Sequence, residues 1–249
     1  MSDRAIQLVN RVKELIAAEY AEQRSQEWLD LRENMITASD VASAIGENRY
    51  ESPEAFVKKK VLKTQWAGNA ATAHGTLLEP LVRDLYDERF NKKSHEIGVV
   101  QHRKYPWLGG SPDGITEDGL LIEIKCPLTR KIENKVPKHY MPQIQLLLEI
   151  MDLDDCDFIQ YRPASGSAPE EFVVVRVPRD RGWFDKNLPA MQRAWDQIVD
   201  GRKNGLCDLQ DDPEEWKPVQ IVCEVIYDDQ EYALSGVEVP SQVQNSDVS

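Results

Sequence analysis

The sequence predicts an α/β fold in which a central mixed β-sheet is flanked by helices. Apolar residues recur at helical spacing up to residue 90 and again from residue 139, whereas residues 97–125 and 156–177 contain short segments with the two-residue period of strands. No internal repeat is visible, and no Pro/Ser-rich linker divides the chain before its C-terminal tail. Alternation of helical and strand segments within one undivided chain is typical of a single α/β domain.

The helices are predicted from apolar spacing and from capping residues. Ser25 is suited to cap a helix that runs through Arg32, and Thr37 or Ser39 to cap the next, which stops at Gly46. The other predicted helices are residues 5–22, a segment that begins at Ser52-Pro53, and residues 77–90, 139–153 and 183–201.

The strands are predicted from β-branched and apolar runs bounded by turn residues. The predicted strands are residues 97–102, 107–110, 120–125, 156–161 and 171–177. Asp118-Gly119 is a strong hairpin signal, so we expect residues 107–113 to pair antiparallel with residues 120–125.

The strand at residues 120–125 carries two opposite charges inside an apolar run. Because side chains alternate faces along a strand, Glu123 and Lys125 share one face, and the predicted hairpin folds Asp113 back toward Glu123. Two converging carboxylates repel each other unless a cation lies between them, and oxygen ligands suit Mg²⁺ or Mn²⁺. The alternative is a solvated Glu-Lys pair on an exposed face, which would contribute less than ~1 kcal/mol.

Targeting and cysteine patterns restrict the class of protein. No run approaches the ~18 apolar residues that a membrane span requires, and the N-terminus lacks the apolar core of a signal peptide. We therefore expect an intracellular protein without a membrane partner, cytoplasmic or nuclear in a virus-infected eukaryotic host. The four cysteines are scattered without a C-x-x-C pair, which argues against a zinc or iron–sulfur site.

The charge distribution leaves a nucleic-acid partner open. The net charge of −13 opposes phosphate binding overall, because phosphate contacts require Lys and Arg. Basic residues nevertheless cluster at Lys58–Lys63, at Lys92-Lys93 and between Arg130 and Lys138. An acidic nuclease can keep a basic groove, and metal ions offset part of its active-site charge.

The motif spacing resembles that of one nuclease superfamily. Asp113 followed by Glu123-x-Lys125, with Gly75-x-x-x-Glu79 upstream and Gln143-x-Gln145 downstream, resembles the PD-(D/E)xK nucleases, which have a restriction-endonuclease-like core. RSQEWLDLRENMITASDVASAIG and HYMPQIQ resemble the YqaJ viral recombinase group, to which the lambda exonuclease-like enzymes belong. The similarity runs from about Ser25 to Tyr161.

The resemblance implies a catalytic role for each matching residue. It implies that Asp113, Glu123, the carbonyl of Ile124 and Glu79 hold Mg²⁺, with Mn²⁺ as a possible substitute and two ions in all. Lys125 would then position or deprotonate the attacking water, and Gln143 would hold that water or the scissile phosphate. Alternatively, Glu79 is a helix-terminal charge and the glutamines are solvated.

The resemblance also implies a pocket for a terminal phosphate. Its matching residues here are Arg32, Ser39 and Ser111, and an Arg fork with hydroxyl donors is suitable chemistry for a 5′-phosphate. Alternatively, Arg32 simply pairs with Glu33 or Asp30 on a helix surface.

The resulting hypothesis is a metal-dependent 5′-to-3′ exonuclease that acts on double-stranded DNA ends and leaves 3′ single strands for recombination or repair. The resemblance further implies a homotrimer and a possible single-strand annealing partner. The alternatives are an endonuclease with the same site and a catalytically silent DNA-end-binding protein. We divide the chain into an N-terminal helix (1–24), a nuclease domain (25–205), a C-terminal extension (206–235) and a disordered tail (236–249).

Overall fold

A computed structural model of the chain describes residues 2–23, 25–64 and 70–206. The predicted tail, and the predicted C-terminal extension apart from its first residue, lie outside the described residues. The helices are α1 (Asp3–Ala17), α2 (Gln26–Glu33), α3 (Val41–Ala44), α4 (Pro53–Val61), α5 (Ala70–Phe90), α6 (Met141–Met151), preceded by a 3-10 turn (Lys138–Tyr140), and α7 (Arg181–Asn204).

The strands form two sheets within the described ranges. They are β1 (Ile36–Thr37), β2 (Ser94–His95), β3 (Val100–Gln101), β4 (Leu108–Gly110), β5 (Gly114–Thr116), β6 (Leu120–Lys125), β7 (Asp155–Arg162) and β8 (Glu171–Pro178). A five-stranded sheet has the order β2-β5-β6-β7-β8, and a three-stranded sheet has the order β1-β4-β3. Only the β6–β7 and β1–β4 pairs among these are parallel. The predicted α/β class with a mixed sheet is confirmed.

The predicted cap at Ser25 and the predicted helix start at Ser52-Pro53 are confirmed, and the predicted cap at Thr37 or Ser39 is wrong. The hydroxyl groups of Ser25 and Ser52 accept hydrogen bonds from the backbone N–H groups at the starts of α2 and α4. Neither Thr37 nor Ser39 caps α3, because Asp40 occupies the N-cap position. Thr37 belongs to β1, and its hydroxyl donates to the Asp40 carboxylate at 2.8 Å.

The predicted hairpin partner of β6 is also wrong. Residues 107–113 do not pair with β6; the short strand β5 does, with Gly114 opposite Ile122 and Ile115 opposite Leu121. Leu108–Gly110 instead forms β4, which pairs with β1 and β3 in the other sheet. The hydroxyl of Thr116 accepts a hydrogen bond from the backbone N–H of Leu120, which closes the turn at residues 117–119. Asp113 still lies directly before the strand that pairs with β6.

Helix α6 packs between the two sheets and lies against β4. Its residues Ile144, Leu146, Leu147, Leu148 and Ile150 are buried in the main apolar core, together with Val12 and Leu15 of α1. A Cβ atom at Gly110 would lie 2.7 Å from Leu147 Cδ2, so only glycine allows β4 to approach α6 this closely. Ile122 and Ile124 of β6 face a second core with Val82 and Tyr86 of α5. β6 is therefore covered on both faces.

Candidate active site

The charged pair of β6 lies at the centre of the site. Glu123 is fully buried, at 0% exposure, and the ammonium group of Lys125 donates to its Oε1 atom. Gln143 Nε2, from the first turn of α6, donates to the same oxygen at 2.5 Å. Glu123 Oε2 is buried and has no hydrogen-bond partner among the described residues. Glu123 is therefore buried and Lys125 is partly buried, with its side chain 24% exposed, and the alternative of a solvated surface pair does not hold.

Asp113 is positioned by the start of β5. The pairing of Gly114 with Ile122 sets Asp113 next to the end of β6, and Asp113 Oδ2 accepts a hydrogen bond from the backbone N–H of Ile124 at 2.6 Å. Arg83 Nη1, from α5, donates to the Asp113 carbonyl at 3.0 Å. The Pro-Asp-Gly turn is thus fixed both to β6 and to α5.

A cleft of about 710 Å³ joins these residues to α5. Glu79 lines it from α5, together with Asp113, Ile124, Lys125 and Gln143. These residues come from α5, β6, α6 and the turn that contains Asp113. They are the expected catalytic residues that line the cleft.

Burial and mutual repulsion raise the pKa values of the carboxyl groups. Burial first, and then the charge of Asp113, raises the pKa of Glu79 to about 7. Burial raises the pKa of Glu123 to about 8, with Lys125 opposing the shift and Asp113 adding to it. Burial likewise raises the pKa of Asp113. Each carboxyl group therefore lacks sufficient compensating positive charge.

Lys125 responds in the opposite sense to its acidic neighbours. Burial lowers the pKa of Lys125, but the charges of Glu123 and Asp113 outweigh that effect, so the pKa lies above its ordinary value. Its ammonium group also lies 5.4 Å from the centre of the Tyr140 ring. In this arrangement Lys125 is a cation. Additional positive charge in the cleft, such as that of a metal ion, would lower the pKa of Lys125.

The donor chemistry of the cleft fits a hard divalent cation. Among the described residues, no group of three or more His, Cys, Asp and Glu side chains lies close enough together to hold a metal ion. The available donors are nevertheless oxygens, as Mg²⁺ prefers, and Glu123 Oε2 is a buried acceptor without a partner. A cation near Glu79, Asp113 and Glu123 would also offset the repulsion that raises their pKa values.

Two of the three residues expected at the terminal-phosphate pocket are in contact. Arg32 Nη2 donates to Ser39 Oγ at 3.1 Å, and the guanidinium group stacks 4.5 Å from the centre of the Trp28 ring. Ser39 lines the same cleft as Glu79 and Lys125. The alternative pairing of Arg32 is not observed, because Glu33 pairs with Lys63 at 2.8 Å and Asp30 accepts from Gln26 at 2.6 Å.

Ser111 is near this pair by chain path, although its hydroxyl has another partner. β1 and β4 run parallel with Thr37 opposite Gly109, so Ser39 and Ser111 each lie two residues beyond the last pair at the same end of the sheet. The hydroxyl of Ser111 donates to the carbonyl of Ile97 at 2.7 Å. A Ser111 contact to a ligand would require that hydroxyl to turn away.

Sequence reasoning missed Arg83 and misread Gln145. Arg83 follows Glu79 by four residues on α5, so helical spacing alone places both on one face, and the guanidinium group also reaches Glu96 at 3.3 Å. Gln145, unlike Gln143, is not at the site. It donates to the Pro178 carbonyl at 3.0 Å and accepts from the backbone N–H of Asp180 at 2.7 Å, so it fixes α6 to the start of α7.

Comparison with known proteins identifies the family. The YqaJ-like viral recombinase domain matches residues 27–154, which is more than half of the chain. The chain belongs to this family. An uncharacterized protein of Acanthamoeba polyphaga mimivirus is 30% identical over 176 residues, covering 63% of this chain and 32% of that protein. A protein of African swine fever virus is 31% identical over 156 residues, covering 50% of this chain and 45% of that protein.

Other relatives extend the comparison to solved structures. The uncharacterized protein YqaJ of Bacillus subtilis is 23% identical over 203 residues, covering 77% of this chain and 62% of that protein. This chain thus spans less than two thirds of each curated relative. The crystal structure of an alkaline exonuclease, LHK-Exo, from Laribacter hongkongensis is 26% identical with a TM-score of 0.63, covering 72% of this chain and 95% of that one.

Within the described ranges, no helix is both long and apolar enough to cross a membrane.

Proposed function

We propose that this member of the YqaJ family is a metal-dependent DNA nuclease, and specifically an exonuclease that digests one strand of a duplex in the 5′-to-3′ direction. The observation that carries the proposal is the cleft lined by Asp113 and Lys125, together with the buried Glu123, which bonds to Lys125 and whose Oε2 atom has no partner among the described residues. The similarity to the alkaline exonuclease LHK-Exo supports the same reaction class. This chain covers 95% of the length of LHK-Exo.

The carboxylate residues at the cleft would hold the metal ions. Bound by Glu79, Asp113, Glu123 and the Ile124 carbonyl, Mg²⁺ ions would acidify a water molecule and neutralise phosphate charge. The Gln143 amide holds Glu123 Oε1 in place at 2.5 Å, and the Ile124 N–H holds Asp113 Oδ2 at 2.6 Å. These bonds fix the direction in which the remaining carboxylate oxygens can face.

Lys125 supplies positive charge where the scissile phosphate would bind. Its raised pKa favours the ammonium form, which attracts a phosphate oxygen and stabilises the charge that develops during hydrolysis. To accept a proton from water, Lys125 would first have to leave Glu123 Oε1, and positive charge added to the cleft would favour that exchange. We therefore assign Lys125 first to charge stabilisation and orientation.

The Arg32–Ser39 pair supports an exonuclease rather than an endonuclease. Ser39 lines the cleft, and Arg32 donates a hydrogen bond to Ser39. A terminal phosphate bound by this pair would therefore be held beside the carboxylates. Digestion that starts at such a phosphate proceeds from the 5′ end and leaves a 3′ single strand, the substrate that a recombination annealing protein would use.

The test compares DNA forms with and without Mg²⁺. We expect the purified chain to degrade linear duplex in the presence of Mg²⁺ and to leave covalently closed circular duplex intact. On end-labelled linear duplex, the label at the 5′ end should be released first. Cutting of the circular DNA would establish an endonuclease with the same site. Binding of DNA ends without turnover under any divalent metal would instead establish a silent end-binding protein and overturn the proposal.

A further inference from the structure

A basic loop follows the catalytic strand directly. Residues 126–138 run from the end of β6 to the first residue of the 3-10 turn and contain Arg130, Lys131, Lys135 and Lys138 but a single acidic residue, Glu133. Pro127, at the start of the loop, lines the catalytic cleft. The three lysines are exposed, so the loop presents positive charge to solvent next to the site.

The loop is held by an unusual buried glutamine of β7. Gln160 is 0% exposed and lies next to Lys125 in the parallel β6–β7 pairing. Its Nε2 atom donates to the carbonyls of Glu133 at 2.7 Å and Lys135 at 3.3 Å. Its Oε1 atom accepts from Arg130 Nη1 at 2.8 Å. All of these bonds go to the loop, and a buried amide without them would be costly.

Two further contacts fix the same loop. Arg162, two residues along β7, donates to the carbonyl of Arg130 at 2.6 Å and to the carbonyl of Pro127 at 3.4 Å. Ile132 is buried at 7% exposure and anchors the middle of the loop. The backbone around Arg130 is therefore restrained from both sides, while the loop lysines remain exposed.

Arg130 contributes to a positive region at the cleft. His139 lines the cleft, and its pKa is lowered first by burial and then by the charges of Arg49, Arg130 and Lys125. Arg130 also keeps a buried Nη2 atom that has no hydrogen-bond partner among the described residues. The guanidinium group of Arg130 thus has one donor without a partner in the described part of the chain, and because that atom is buried, a phosphate reaches it only after the side chain turns outward.

We propose that residues 126–138 form a second DNA-binding surface, at which Arg130 contacts a backbone phosphate, and that Gln160 is the positioning residue that holds Arg130 there. The proposal rests on the proposed function, because it takes DNA as the ligand. It adds a phosphate contact outside both the carboxylate site and the Arg32–Ser39 pair. A fork with one arm fixed by Gln160 loses less side-chain entropy on binding than a free arginine.

The experiment measures DNA binding in the absence of divalent metal, so that cleavage does not intervene. Fluorescence anisotropy of a labelled short duplex gives the affinity over a series of salt concentrations. Because each phosphate contact contributes about 0.9 to the slope of log K against log salt, Arg130→Ala should lower that slope by about 0.9 and weaken binding several-fold. Arg130→Lys should keep most of the slope because it keeps the charge.

Gln160→Leu tests the positioning role against a matched control. We expect it to lower the salt slope as Arg130→Ala does, although no charge has been removed. Gln145→Leu removes the other buried glutamine that bonds to backbone groups, at the start of α7 and away from the loop, and should leave the slope unchanged. If Gln160→Leu does not unfold cooperatively, the shorter amide of Gln160→Asn replaces it.

The outcomes separate this inference from the proposed function. An unchanged slope in Arg130→Ala overturns the second surface, even in a chain that cleaves DNA normally. A wild-type slope in Gln160→Leu or Gln160→Asn, with Arg130→Ala affected, overturns the positioning role. Binding with the expected slope changes but without cleavage under any metal would overturn the nuclease and leave the surface standing. A wild-type chain that binds no duplex without metal overturns the second surface, and the proposed function is then decided by the cleavage assay with Mg²⁺.

Discussion

The strongest prediction concerns Arg32 and the phosphate at the 5′ end of the substrate. Arg32 donates to Ser39, which lines the cleft, at 3.1 Å, and its guanidinium group lies over the Trp28 ring. A terminal phosphate carries close to two negative charges and accepts a bidentate, charge-assisted bond that a hydroxyl end cannot replace. Arg32→Ala should therefore remove the preference of the enzyme for 5′-phosphorylated ends.

The size of the effect follows from the bonds that are lost. A hydrogen bond to a charged group is worth ~1.5–3 kcal/mol, which corresponds to a roughly ten- to hundred-fold change in rate. The fold should survive, because Asp40, the acidic residue near Arg32, remains paired with Lys60 at 2.8 Å and bonded to Thr37 at 2.8 Å. No buried charge is left without a partner by the substitution.

The assay compares initial rates on duplexes that differ only in a 5′-phosphate or a 5′-hydroxyl group. Wild-type enzyme should prefer the phosphate end, Arg32→Lys should retain part of the preference, and Arg32→Ala should digest both ends at the same slow rate. Arg103→Ala is the control, since that side chain is 66% exposed and pairs only with Glu14 in the part of the chain described. Equal rates on both ends for the wild type, or an equal slowing of both by Arg32→Ala, would refute the assignment.

Three further predictions concern the catalytic residues and the assembly. Lys125→Ala should keep thermal unfolding cooperative and DNA binding intact while losing more than nine tenths of the cleavage rate; retention of more than a tenth, under ~1.4 kcal/mol of barrier, contradicts its role. The cleavage rate should rise from pH 6 to pH 9, because Glu79 and Glu123, with pKa values of about 7 and about 8, lose their protons over this range. Additional Mg²⁺ should move the midpoint of the pH–rate profile to lower pH. A flat profile counts against the role of these carboxylates. Light scattering should give about three times the monomer mass of 28.5 kDa, and a monomer that digests distributively argues against a ring.

The sequence was most informative where a single element carries the signal. Local patterns were sufficient to predict the bounds of β6, the helix starts at Ser25 and Ser52, and the positions of α6 and β8. Capping and alternation depend on residues only a few positions apart. The resemblance to the YqaJ family is confirmed by the match to residues 27–154, and the α/β class is confirmed by the observed sheets and helices.

Pairing between distant segments could not be predicted in the same way. Leu108–Gly110 has the pattern of a strand that precedes a hairpin turn, yet it pairs with β1, more than seventy residues earlier in the chain. The hairpin signal at Asp118-Gly119 was correct, but only the three residues of β5 fit between Asp113 and the turn. Sequence patterns indicate that a segment is a strand, whereas its partner depends on how whole elements pack.

The site divides along the same line. The sequence by itself determined which residue types are available for the proposed reaction, namely Asp113, Glu123 and Lys125, because their spacing is fixed by one turn and one strand. Only the tertiary structure decided that Gln143 bonds to Glu123 Oε1 and that the Gln160 amide holds the basic loop. Those contacts join residues at least twenty positions apart, and they depend on the packing of α6 and β7 against β6, which no local pattern encodes.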